Sequence, residues 1–159
     1  MHPVRLPALV LLALAAVAPA ARAQDTSTAA AIELLRSDVR GAKAEIVGQS
    51  LTLSDADAKI FWPLYRQYEL ETSKLGDERV ALIREFASNY ETMTDAQAVN
   101  LSQRSMDLEE RRLKLRRDQF AIFQKKLPGR TVARFFQLDA YLSKVIDVKV
   151  AREFPLVQH

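Results

Sequence analysis

Apolar residues between Asp95 and Lys126 recur every seven positions in two separate rows. Residues seven apart lie on the same face of an α-helix, so each row predicts one apolar stripe. At about 100° per residue, the stripes lie roughly 140–160° apart. A helix with two nearly opposed stripes must be covered on two sides, by a second copy of the chain or by other helices. The pattern favours a homodimer. The rows are Leu101, Leu108, Leu115 and Ile122, and Val99, Met106, Leu113, Phe120 and Leu127.

A second long helix is predicted from Ser54 to about Asn89. One of its faces carries a row of sevens, formed by Phe61, Tyr68, Leu75 and Leu82. Pro63 falls inside this helix. Because proline lacks an N–H and clashes with the preceding turn, we expect a kink near Trp62 or a separate short opening turn.

Two further helices complete the pattern. The first runs from about Ala29 to Val47, with apolar Ile32, Leu35, Val39 and Ile46, and Gly48 is its predicted stop. The last runs from about Thr131 to Val150, after the break at Leu127-Pro128-Gly129. The chain has only 4 Gly and 6 Pro and no strand-like alternation. We therefore predict an all-α fold of four helices with a long central hairpin, assembled as a homodimer.

Two similar pentads precede the long helices: "LSDAD" from Leu53 to Asp57 and "MTDAQ" from Met93 to Gln97. Thr and Gln three apart form a capping box, in which each side chain binds the backbone N–H of the other residue. Ser54 and Asp57 form a weaker version, and the preceding apolar residue occupies the hydrophobic-staple position. The predicted helix-cap motif consists of Met93, Thr94 and Gln97 with Leu53, Ser54 and Asp57.

The first residues have the form of an export signal. Arg5 precedes an apolar run from Leu6 to Val17, and Ala21-Arg22-Ala23 matches a cleavage site. The run is short for a membrane span, which needs roughly 20 residues, and the chain has no Cys to carry a lipid. We predict a signal peptide over 1–23, cleaved after Ala23, and a single all-helical domain over 24–159. The protein is expected to be periplasmic without a stable membrane anchor.

Charge is distributed unevenly along the chain. Without Arg5 and Arg22, the chain has 21 basic and 20 acidic residues, so its basic isoelectric point is weak evidence for a nucleic-acid partner. Export disfavours such a partner. The segment from Arg104 to Arg134 nevertheless contains ten basic and four acidic residues. It is either a solvated helix face with i,i+4 pairs such as Glu110–Lys114, or a surface that attracts acidic, partly unfolded chains. The client-binding candidates are Arg104, Arg111, Arg112, Lys114, Arg116 and Arg117, together with Trp62, which otherwise belongs to an aromatic core cluster.

Several kinds of chemistry are missing from the sequence. After cleavage the one remaining His is the terminal His159, and there is no Cys. Pairs of the Ser–His or Cys–His type therefore cannot form, and His-based zinc or copper sites are equally unavailable. No Gly-rich phosphate loop occurs. We expect no enzyme activity, no cofactor and no metal site.

The two pentads resemble the L-T-x-x-Q signature of the Spy/CpxP family. "MTDAQ" has Met in place of Leu, and "LSDAD" resembles a degenerate first copy that lacks the Gln. The family consists of small exported helical proteins, and its better-studied members are cradle-shaped antiparallel dimers with a basic concave surface. The resemblance therefore implies an antiparallel helical dimer for this chain. The resemblance implies an ATP-independent chaperone that holds partly unfolded envelope proteins. The alternative that it implies is a periplasmic adaptor that binds and damps the sensing domain of an envelope-stress or sigma/anti-sigma system.

Overall fold

A computed structural model of the chain describes residues 41–152 and residue 157. The chain divides into two compact units, Met1–Ala42 and Lys43–His159. Its described part is all-helical. Residues 41–50 form the helical segment α1, followed by α2 (Asp55–Asn89), α3 (Asp95–Gln124) and α4 (Gly129–Arg152). The predicted signal peptide and the beginning of the predicted first helix lie outside the described residues.

The predicted starts of both long helices are confirmed. Ser54 caps α2, because its Oγ accepts from the backbone N–H of Asp57 at 3.1 Å. Thr94 caps α3 with a complete capping box, in which the Thr94 N–H donates to Gln97 Oε1 at 2.9 Å and the Gln97 N–H donates to Thr94 Oγ1 at 3.3 Å. The predicted stop at Gly48 is wrong. The glycine does not adopt the left-handed conformation of a helix stop, and α1 continues to residue 50.

Pro63 lies inside α2, and the helix continues through it without interruption. A separate short opening turn, one of the two outcomes that we expected, is therefore not formed. Pro63 and Lys59 are both exposed. The Lys59 carbonyl, which would accept from residue 63 in a regular helix, can bind water instead. This exposure explains how the helix tolerates the proline.

The helices α2 and α3 pack closely as a hairpin. We call the end near residues 90–94 the turn end and the opposite end the base. At the base, α4 joins the hairpin, and rings from three helices form one buried aromatic cluster with centroids 4.8–6.1 Å apart. Val47 of α1 and Leu51, which directly follows α1, are buried in the same core. The cluster consists of Phe61, Tyr65, Tyr68, Phe123, Phe135 and Phe136.

The two apolar rows of α3 have different environments. Leu101 and Leu108 of the first row are buried within the chain. The other row, except for the buried Leu127, is open to solvent, and we call its four exposed members the outer row. Their exposed fractions are 56% for Val99, 63% for Met106, 47% for Leu113 and 37% for Phe120. Helices of the described part of the chain therefore bury Leu101 and Leu108 of the first row, whereas its last member, Ile122, is 39% exposed, about as much as Phe120 of the outer row.

None of the helices in the described residues is both long enough and apolar enough to cross a membrane.

Candidate protein-binding groove

An apolar groove of about 540 Å³ opens near the turn end of the hairpin. The last part of α2, the first part of α3 and the end of α4 form its walls. Its lining is apolar apart from one arginine and two serines. The lining residues are Arg79, Leu82, Ile83, Phe86, Met93, Ala98, Leu101, Ser102, Ser105, Val150, Ala151 and Val157. Such a lining suits the apolar side chains of another polypeptide.

The capping motif positions one side of this groove. Thr94 and Gln97 fix the direction in which the chain enters α3. Met93, before the cap, and Ala98, in the first turn, occupy the hydrophobic-staple positions, and both line the groove. The pentad thus begins the helix and also places Met93 in the groove wall.

Arg79 and Asp147 join α2 to α4 beside the groove. The Arg79 guanidinium forms a short ion pair with the Asp147 carboxylate. Arg112 of α3 approaches the same carboxylate, with Nη1 and Oδ1 3.5 Å apart. The Asp147 carboxylate of α4 therefore binds one arginine from each hairpin helix. These ion pairs hold the three helices that form the groove walls in place relative to one another.

A buried polar network lies between the groove and the base. Asp139 of α4 is 1% exposed and accepts three hydrogen bonds from three other helices. Lys43 Nζ donates to Oδ1 at 2.9 Å, and Tyr68 Oη and Arg116 Nε donate to Oδ2 at 2.8 and 3.2 Å. Lys43 also binds Glu69 at 2.7 Å. With every charge paired, the network specifies one arrangement of the four helices.

Burial and neighbouring negative charge have opposite effects on the pKa of the basic groups in this network. Burial by itself lowers the pKa of Lys43, but the charges of Asp139 and Glu69 outweigh it, so the pKa rises. Burial also lowers the pKa of Arg116, but the interactions with Tyr68 and Asp139 outweigh it, so this pKa rises as well. Burial, reinforced by the Asp139 charge, raises the pKa of Tyr68 well above its usual range. The network therefore holds charged Lys43 and Arg116 and a neutral Tyr68.

Arg104 and Arg111, two of the client-binding candidates, bind acidic residues of α2. Arg104 Nη1 lies 2.9 Å from the Glu85 carboxylate. Both terminal nitrogens of Arg111 donate to Glu78 at 2.6 Å, which is the two-point geometry that guanidinium groups prefer. These hydrogen bonds lower the pKa of both glutamates. Positive charge at these two positions is therefore compensated within the chain.

The remaining basic candidates also have partners, with one exception. Arg112 and Arg116 face Asp147 and Asp139 of α4. Lys114 binds Asp118 at 2.6 Å, so the predicted Glu110–Lys114 pair is not the one formed. Within the described residues, Arg117 has no ion-pair or hydrogen-bond partner. That these residues bind clients stays a prediction.

The face on which Arg111 and Lys114 lie carries balanced charge. A shallow depression of about 290 Å³ runs between α2 and α3 there. Three basic and three acidic side chains surround it, and two leucines form its floor: Glu71, Lys74, Leu75, Glu78, Arg111, Lys114, Leu115 and Asp118. The excess of basic residues along the sequence does not produce a uniformly positive face here.

Trp62 lies at the base, away from the residues that line the groove. Its ring packs edge-on against Phe61 and Tyr65, with centroids 5.2 and 5.6 Å away. It also passes over Gly48, where an added Cβ would lie 3.6 Å from the indole. The side chain is half-buried, so part of its surface is already used in packing α1 against α2.

The groove and the centre of the buried network were not predicted from sequence. Ile83 and Phe86 are three positions apart on α2, outside the row of sevens from which the helix was predicted. Asp139 was detectable in principle, because it is the one carboxylate within the apolar stretch from Phe135 to Leu142. A buried carboxylate requires partners, but sequence alone does not say which.

In the described part of the chain, no three His, Cys, Asp or Glu side chains are grouped so that they could hold a metal ion. Comparison with models of protein families, with curated proteins and with solved structures finds no match to this chain. The likeness to the Spy/CpxP family therefore rests on the two pentads and the order of the helices.

Proposed function

We propose that this protein is an exported, ATP-independent, chaperone-like protein that holds partly unfolded clients in the cell envelope. The observation that carries the proposal is the open apolar groove near the turn end of the hairpin. A partly unfolded chain exposes apolar side chains to water. Binding in a groove lined by leucine, isoleucine, phenylalanine and methionine removes these side chains from water, which is favourable.

Two features of the groove favour varied clients over a single rigid ligand. Met93 is flexible and polarizable, and methionine adapts to partners of different shape. The groove also has few polar groups that would require a particular hydrogen-bond donor or acceptor in the client. Binding of this kind is expected to be weak and reversible and to require no nucleotide.

The test is an aggregation assay on the purified chain over residues 24–159 with two unrelated unfolding proteins. We expect the wild type to suppress aggregation of both. Ile83→Asn, which places an amide in the groove, should lose most of this activity. The matched control is Ile60→Asn, at an exposed isoleucine that does not line the groove, and it should keep the activity.

Circular dichroism melting must show that both variants are folded. If folded Ile83→Asn suppresses aggregation as well as the wild type, clients do not bind in the groove. If the wild type protects neither unfolding protein, the chaperone-like function is contradicted.

The pairing of the basic residues favours a second candidate function, the regulatory adaptor. Arginines that bind Glu78, Glu85, Asp139 and Asp147 are less available to attract acidic clients of any sequence. An adaptor would instead bind the sensing domain of one envelope protein by shape. Stopped-flow association with an acidic unfolded client, measured across a salt series, separates the two functions. Salt-dependent association supports the chaperone, and no association with such clients supports the adaptor.

The contacts of the basic residues decide which of them should be replaced in that experiment. Arg112 and Arg116 contact Asp147 and Asp139, so replacing them would disturb the packing of α4. Lys125 and Lys126 lie in the same basic segment, are exposed, and have no ion-pair partner among the described residues. Replacing both by Gln should slow association if the segment steers acidic clients, because exposed charges act mainly on the association rate.

A further inference from the structure

Val157 lines the groove although it lies beyond the end of α4. The helix ends at Arg152, and Val157, five residues further along the chain, belongs to no helix. It nevertheless lines the groove together with Val150 and Ala151 of α4. Five residues span at most about 18 Å when fully extended. The chain therefore leaves the helix and still contacts the groove a short distance later.

The sequence that follows α4 matches the chemistry of the groove. Residues 153–159, which we call the extension, read EFPLVQH. Pro155 lacks the N–H that a regular helix uses, and it disfavours the helical conformation for the residue before it. Phe154, Leu156 and Val157 are apolar, like most residues that line the groove. Because the chain itself tethers the extension beside the groove, its effective concentration there is on the order of millimolar.

We propose that the extension is an internal ligand of the groove and competes with clients for the same apolar surface. Only the competition rests on the proposed client-holding function, because the extension can occupy the groove whether or not clients bind there. The proposal also assigns a class of ligand to the groove: short apolar segments that a proline keeps out of a regular helix.

The contact that Val157 makes is partial, which suits a ligand that can be displaced. Its side chain is 47% exposed, so about half of its surface is covered. A client segment that buries more apolar surface in the groove gains more free energy than this contact does, and can therefore replace it. A fully buried residue at this position would instead belong to the core and would not exchange with clients.

Competition of this kind weakens the apparent affinity for every ligand of the groove. A ligand binds only those molecules in which the extension has left the groove, so the apparent dissociation constant rises as that fraction falls. Burying half of a valine side chain changes a binding constant by about fivefold. Removing the Val157 contact should therefore strengthen the binding of other ligands by about this factor.

Binding of the fluorescent dye anilinonaphthalene sulfonate measures occupation of the groove without any client. Val157→Asn should raise the affinity for the dye about fivefold, whereas Ile83→Asn, in the groove wall, should lower it. The matched control is Val148→Asn, at a valine of α4 that is 53% exposed and does not line the groove. It should leave the affinity unchanged. Equal or lower affinity in Val157→Asn would overturn the proposal, because Val157 would then be part of the wall and not a competitor.

The aggregation assay with the same variants distinguishes this proposal from the client-holding function. Val157→Asn should protect unfolding proteins at about one fifth of the concentration that the wild type needs, and Val148→Asn should resemble the wild type. If dye affinity rises in Val157→Asn but no variant protects, the extension is an internal ligand and the client-holding function fails. If dye affinity rises and protection equals that of the wild type, competition with clients is contradicted.

Cross-linking identifies the occupant of the groove, because the chain contains no cysteine of its own. A short bismaleimide should join Val157→Cys to Ser102→Cys, in the groove wall, within one chain. The control pairs Val157→Cys with Lys126→Cys at the base, since the 22 residues from Ser102 to the end of α3 span about 33 Å. An excess of a peptide with the sequence of the extension should slow the first cross-link. Absence of that cross-link, or a cross-link that joins two chains and disappears on dilution, would overturn the proposal.

Discussion

At the base of the hairpin, six aromatic rings from three helices pack into one cluster, whereas the turn end has no comparable core among the described residues. There α2 and α3 meet through a few leucines such as Leu101 and Leu108, and through exposed pairs such as Glu85–Arg104. Large buried side chains contribute most of the stability, and exposed ion pairs contribute little. The base therefore contributes most of the packing that holds the helices together, and the turn end leaves apolar side chains lining an open groove.

The aromatic cluster should give the largest single effect on stability. Phe135 is completely buried and contacts rings of both hairpin helices, including Phe61 and Phe123 at 5.2 Å. Phe135→Ala should lower the free energy of unfolding by about 3–5 kcal/mol, from lost burial and the remaining cavity. Leu101→Ala, beside the open groove, should cost about 2–3 kcal/mol. Equal losses in chemical denaturation would contradict the contrast between the two ends.

The buried network should give the next largest effect. Asp139→Asn keeps the shape of the side chain but removes the charge that faces Lys43 and Arg116. We expect a loss of about 2–3 kcal/mol, typical of buried hydrogen bonds to charged groups. The matched control is Asp118→Asn, at the exposed partner of Lys114, which should cost less than about 0.5 kcal/mol. If chemical denaturation finds the two variants equally stable, the network does not hold the helices together.

The regular part of the fold was predictable from sequence because it depends on local patterns. The seven-residue rows identified α2 and α3, and Ser54 and Thr94 marked their first residues correctly. The candidate site could be predicted less completely from the sequence than the fold could. Which of two apolar rows is covered, and which acids pair with Arg111 or Arg116, depends on residues 20 or more positions away. Contacts of that kind appear only when the helices are packed together.

Two tyrosines of the base should make stability fall at high pH. Burial raises the pKa of both Tyr65 and Tyr68, so the folded state keeps their protons when the unfolded chain releases them near pH 10. The contribution of the two tyrosines to the free energy of unfolding is fully present below pH 10. As the pH rises further, the free energy of unfolding falls by up to about 1.4 kcal/mol per pH unit for each tyrosine. Urea denaturation between pH 8 and 11 measures this slope.

Phenylalanine variants distinguish the two hydroxyls. The buried Tyr65 hydroxyl has no partner in the described structure, so Tyr65→Phe should be neutral or stabilising at pH 7 and should flatten the alkaline slope. Tyr68→Phe should flatten it as well, but should cost about 1 kcal/mol at pH 7 because the hydrogen bond to Asp139 is lost. Tyr141→Phe, at an exposed ring, is the control. An unchanged slope in both buried variants would contradict the assignment.

The smallest effect should come from the cap at the turn end, and it should be local. Thr94→Ala removes the oxygen that accepts from the Gln97 N–H, at a cost of about 1 kcal/mol. Hydrogen exchange should accelerate in the first turn of α3, next to Met93, while the amides of the base remain protected. Ser54→Ala is the matched control at the other pentad, where Leu53 packs against the core. It should loosen the start of α2 and leave the groove unchanged.

Client holding by Thr94→Ala should decline only as far as its stability does. Loss of holding with an unchanged melting curve would instead show that Thr94 contacts clients directly, and that the pentad is a binding motif as well as a helix start.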